Sequence, residues 1–152
     1  MKQQYSFILL HFCDMIDSMK KHLRVSAAVI EKDGKVFAAQ RGNHGELALR
    51  WEFPGGKIET GETPEQALVR EIKEELDTSI EVIHPIVTVE HEYETFSITL
   101  YGFLCRIVSG SLPIKEHIAS RWLEKSELSE IDWAAADTGI VQELQKNWEK
   151  DL

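Results

Sequence analysis

Short apolar runs and polar breaks succeed one another along the chain, and the period within each run predicts an element. From Arg24, VSAAVIEKDGKVFAAQR holds two segments rich in Val, Ala and Phe around Asp33-Gly34, a dipeptide suited to a tight turn, so a β-hairpin is predicted. Residues 42–48 are polar, residues 51–53 are short and apolar, and Pro54-Gly55-Gly56 breaks the pattern. The period then becomes helical, with Ala67, Leu68, Ile72 and Leu76 on one stripe. Residues 80–93 and 95–108 are long, β-branched and aromatic with a turn between them, and predict a second strand pair. After Pro113, a short strand is expected over 118–123, followed by polar SELSEIDW. Ile140, Val141 and Leu144 then give residues 137–148 a helical spacing. Strand pairs with one helix between them and one at the end place the chain in the α/β (α+β) class.

The middle helix has a legible start. Thr63 suits the N-cap, Pro64 the first helical position, and Gln66 completes a T-x-x-Q capping box. Asp77 stands where a left-handed C-cap is usually glycine; aspartate tolerates that geometry better than most residues, against a typical cost of about 1–2 kcal/mol. Glu71, Glu74 and Glu75 lie at i, i+3 and i+4, so their Cβ atoms share a face at about 5–6 Å, a spacing at which like charges repel. A divalent cation or basic partners are therefore expected, since Arg70 alone does not neutralise three carboxylates.

These acids belong to a longer pattern. The motif G-x5-E-x7-R-E-U-x-E-E-x-G-U, with U a bulky aliphatic residue, is matched at Gly56, Glu62, Arg70, Glu71, Ile72, Glu74 and Glu75. Only its last two elements depart, to Asp77 and Thr78. The segment resembles the Nudix hydrolase motif, and the phrase WEFPGGKIE is similar to MutT-like nucleotide hydrolases. The resemblance implies an α/β/α sandwich with a mixed sheet between helices. It also implies hydrolysis of a nucleoside triphosphate, such as 8-oxo-dGTP or CTP, to the monophosphate and pyrophosphate.

Composition narrows the setting. A chain of 152 residues with 43% hydrophobic content suits one domain with a real core. A net charge of −9 argues against a duplex nucleic-acid surface, which needs clustered Lys and Arg. An acidic protein still accommodates a nucleotide when Mg2+ bridges its carboxylates to the phosphates. Cys13 and Cys105 lack metal-ligand spacing and suggest reduced thiols in a cytoplasmic protein. Residues 5–12 are apolar but too short to span a bilayer, and no signal-peptide cleavage site follows. The family resemblance begins near Met19. Residues 1–20 thus read as an N-terminal extension, with an added segment and an upstream start both open, and residues 21–152 as one Nudix domain, monomeric or homodimeric.

Carried over from the resemblance, Glu71 is the general base and Glu74 and Glu75 are metal ligands. Arg70 and Glu62 form an orienting ion pair. Oxygen ligands suit Mg2+ or Mn2+ rather than structural zinc. Gly55 and Gly56 make a tight turn, bring a backbone carbonyl to the metal, or both, and Glu116 in PIKEHIAS is either a loop charge or a further ligand. Four residues are candidates for substrate binding. Arg41 reads as a phosphate partner or a solvated strand end, Phe53 as a base-stacking or core residue, and Lys57 follows the glycine pair. Asp137, in WAAADTGIV, matches the position that reads the base edge, where an ionised carboxylate only accepts hydrogen bonds.

Overall fold

The computed structural model of the protein describes residues 20–152. Residues 1–19, which hold the apolar stretch 5–12 and Cys13, lie outside the described residues. The predicted hairpin is β1 (Lys21–Lys32) and β2 (Lys35–Gln40), joined by Asp33 and Gly34 at φ 52° and 76°. β3 (Trp51–Glu52) and β4 (Gly55–Lys57) follow, then α1 (Pro64–Leu76), β5 (Ser79–Glu92), β6 (Phe96–Ser109) and β7 (Ala119–Leu123). A 3-10 turn over Lys125–Glu130 leads into α2 (Ala135–Asp151), whose helical path is interrupted at Asn147.

The strands form one mixed sheet in the order β3-β2-β1-β6-β5, with β4 also paired to β1 and β7 to β2. β1 and β6 run parallel from Lys21↔Phe96 to Ile30↔Cys105, while β5 and β6 form the expected antiparallel pair. Pro85 lies in β5, the edge strand, where a missing N–H is tolerated, and the register shifts on either side of it.

β1 reads as a continuous apolar run because both of its faces are covered. Ala28 and Ile30 pack with Leu68, Ile72 and Leu76 of α1, whereas Ala27 and Val29 pack with Ile140, Val141 and Leu144 of α2. The result is the expected α/β/α layering.

One local expectation is corrected. Pro54-Gly55-Gly56 does not simply break the pattern, because Gly55 and Gly56 enter β4, antiparallel to β1 at Ala27↔Gly55 and Ser26↔Gly56. Bare backbone is required there. A Cβ at Gly55 would collide with the Ser26 carbonyl, and one at Gly56 with the Glu71 carboxyl.

Candidate active site

The start of α1 is built as its sequence indicates. Thr63 Oγ1 accepts the Gln66 N–H at 3.1 Å, and Gln66 Oε1 accepts the Thr63 N–H at 3.0 Å. At the other end Asp77 takes the left-handed C-cap conformation, φ 45° and ψ 40°. Thr78, the second departure from the motif, is fully buried; its hydroxyl donates to Leu76 O at 2.8 Å and accepts the Leu112 N–H at 2.9 Å. A hydroxyl there closes the helix and anchors the loop after β6, a use an aliphatic side chain lacks.

Arg70 is the hub of the motif. Its Nε and Nη2 donate to the two carboxylate oxygens of Glu62 at 2.7 and 2.8 Å, a bidentate pairing. Nη1 donates to Glu71 Oε1 at 2.8 Å and to Glu74 Oε2 at 3.3 Å, and Nη2 also reaches Lys57 O at 3.1 Å. The Arg70 bond, followed by the Glu59 backbone N–H, holds the Glu62 carboxyl down at about 2. Arg70 thus links the Glu62 and Glu71 carboxylates in one ion-pair cluster.

Glu71 and Glu75 face a cavity of about 600 Å3 that also receives Gly55, Gly56, Lys57 and Glu116. One wall is apolar, with Leu23, Val25, Phe96, Ile98 and Leu100 beside Tyr93. Arg41, Glu52, Phe53 and Asp137 line it as well. Residues from 41 to 137 therefore meet in one space. Glu74 is the exception: its side chain is 60% exposed, lies outside the cavity lining and is turned to Arg70. The three acids of one predicted face are split, two toward the cavity and one toward the arginine.

The comparisons with known proteins decide the family. The NUDIX domain profile matches residues 25–143, from β1 into α2. The chain belongs to the Nudix hydrolase family. This Nudix hydrolase is 36% identical over 122 residues to the CTP pyrophosphohydrolase of Escherichia coli, covering 80% of this chain and 90% of that one. It is 32% identical over 127 residues to the 8-oxo-dGTP diphosphatase of the same organism, covering 83% and 98%. Among solved structures, the MutT protein of methicillin-resistant Staphylococcus aureus superposes with a TM-score of 0.69 at 38% identity, covering 84% of this chain and 98% of that one.

The donor set of this Nudix hydrolase fits a hard divalent cation. Burial, and next the Glu71 charge, push the Glu75 carboxyl up to about 7, so its ionised form would gain from a neighbouring cation. Among the described residues no group of three or more His, Cys, Asp or Glu side chains is already placed to hold a metal ion. The missing Cβ of Gly56 leaves room for the Glu71 carboxyl at the same place.

Toward the apolar wall the carboxyl of Asp137 is buried, and Oδ1 accepts the Phe53 N–H at 2.9 Å. Burial, reinforced by the Glu52 charge, raises the Asp137 carboxyl well above the usual range. Phe53 is 3% exposed and stacks on Trp133 at 4.6 Å, which makes it mainly a core residue. Arg41 Nη1 lies 3.3 Å from Glu52 Oε2, and its buried Nε has no partner among the described residues.

Among the cavity residues that escaped the sequence reading are Glu52 and His117. Glu52 lies between aromatic neighbours in a two-residue strand, and His117 follows Glu116 in a polar loop. Neither has a periodicity to mark it; the only available signal was adjacency to Phe53 and Glu116.

Proposed function

We propose that this Nudix hydrolase is a Mg2+-dependent nucleoside triphosphate pyrophosphohydrolase that releases nucleoside monophosphate and pyrophosphate, and that it acts in the cytoplasm to cleanse the nucleotide pool. The observation that carries this reading is one cavity of about 600 Å3 that joins motif carboxylates to an apolar wall. Glu75, Glu116 and the Gly55-Gly56 backbone would hold the cation, with Glu74 at the rim. When bound, the ion supplies charge neutralisation for the phosphates and Lewis acidity. Glu71, held by Arg70, takes the proton of the attacking water. Lys57 and Arg41, which both line the cavity, meet phosphate oxygens, and Tyr93, Phe96 and Asp137 surround the base.

A cytosine nucleotide is the second reading, favoured by the 36% identity to a CTP pyrophosphohydrolase over 90% of its length. Purified protein with Mg2+ is offered ordinary, oxidised and methylated nucleoside triphosphates, and pyrophosphate is measured. Turnover of 8-oxo-dGTP relative to CTP and 5-methyl-dCTP separates the two readings. No release from any of them sinks both. Glu71→Gln and Glu75→Gln are each expected to lower turnover by about 10²–10⁴-fold while the circular dichroism spectrum stays unchanged.

A further inference from the structure

The loop of residues 110–118 runs from β6 to β7 and carries Glu116. It is anchored at its start, where Leu112 is buried and its N–H donates to Thr78 Oγ1 at 2.9 Å. At its end the Ile118 N–H donates to Gln40 O at 3.0 Å. Residues 113–116 between these points are exposed, and the Glu116 carboxylate makes no hydrogen bond or ion pair among the described residues. A free glutamate on an exposed segment must be ordered before it binds anything, at a cost in conformational entropy.

His117 differs from the rest of the loop. Its side chain is only 10% exposed, and Nε2 lies 2.9 Å from Glu52 Oε1. Glu52 is gripped from β2's side by Arg41 at 3.3 Å, so the acceptor is itself fixed. Both His117 and Glu116 line the cavity that Glu75 enters from α1. Protonated on Nε2, a neutral imidazole donates to Glu52 and ties the loop to β3 one residue away from Glu116.

We propose that His117 is a positioning residue, whose bond to Glu52 clamps the 110–118 loop and holds Glu116 over the cavity as a cation ligand. This rests on the reading of Glu116 as a ligand. Partners that orient metal-binding side chains typically affect metal affinity by about 10–100-fold, which sets the expected size of the effect.

The test uses the whole protein and Mn2+ alone, with binding followed by loss of the free-ion electron paramagnetic resonance signal and no nucleotide present. H117A should weaken Mn2+ binding by about tenfold or more. E116A should do the same, and the double variant should lose little beyond either one, because the two residues act as a unit. H117Q restores a side-chain N–H donor and should recover most of the affinity, which a purely space-filling role would not predict. If H117A does not fold, H117L fills a similar volume without a donor and carries the same expectation. Parent-like Mn2+ affinity in H117A, or losses that simply add in the double variant, overturns the proposal. So does parent-like affinity in E116A, since no ligand would remain to be positioned; pyrophosphate release by the unaltered protein would still stand.

Discussion

At Asp137 a carboxyl group is buried with one backbone donor, the Phe53 N–H, and with the charge of Glu52 nearby. Its raised pKa means that the folded protein holds this proton to higher pH than the unfolded chain does. Below the ordinary carboxyl pKa of 3.8 both states are protonated and no penalty exists. As pH rises through the folded value, burying the charge costs the native state stability. D137N keeps an acceptor for Phe53 without a charge, so urea denaturation should find it equal to the parent near pH 4 and more stable than the parent at pH 8. A constant difference across that range would show that charge is not the cause. A carboxyl that holds its proton also donates, which widens the base edges that position 137 can meet beyond donor edges. That could not be read from the sequence, because it depends on burial by residues distant along the chain.

Elements with local causes were legible; elements with distant causes were not. α1 was readable because Thr63, Gln66 and the apolar stripe act within four residues of one another. T63A should therefore destabilise the protein by about 1 kcal/mol in thermal unfolding. D77G, which relieves a left-handed aspartate but gives up the exposed Lys73–Asp77 pair at 3.4 Å, should stabilise it by about 0.5–1 kcal/mol. An unchanged melting temperature for T63A would remove the capping argument. β4 was illegible because glycines carry no side-chain signal, and its reason to be a strand lies in the Ser26 carbonyl about thirty residues away. That Glu74 turns away from Glu71 and Glu75 was illegible for a related reason. Helical spacing fixes a face but not which neighbour claims a side chain, and Arg70 claims this one. Glu52 and His117 gain meaning only when β3 and the 110–118 loop meet.

For the molecule as a whole, metal and pH should be linked through Glu75. Its carboxyl titrates near 7 in the folded protein against 4.5 ordinarily, so the group costs nothing below pH 4.5, and an increasing amount as pH rises toward and through 7. A bound cation offsets that cost. Melting curves with and without Mg2+ should show a larger gain at pH 8 than at pH 5. After screening of this half-exposed group is allowed for, the pH-dependent part is about 1 kcal/mol, or roughly 2–4 °C. E75Q should melt higher than the parent without metal at pH 8 and lose most of the Mg2+ gain. Equal gains at the two pH values would disconnect the ion from Glu75. The layered fold itself was expected from alternating strand pairs and helices together with the motif, whereas the parallel neighbouring of β1 and β6 left no local trace.

That parallel pairing also determines when the enzyme comes into being. Lys21 meets Phe96 across 75 residues, and the cavity draws on β1, α1, the 110–118 loop and α2 together. An emerging chain that ends before β6 has the whole Nudix motif yet lacks the strand beside which β1 must lie. Such non-local closure is slow, in the range of milliseconds to seconds for sheet-rich domains. Catalytic competence should consequently appear late and all at once during synthesis, with the acidic helix formed well before there is a pocket for it to serve.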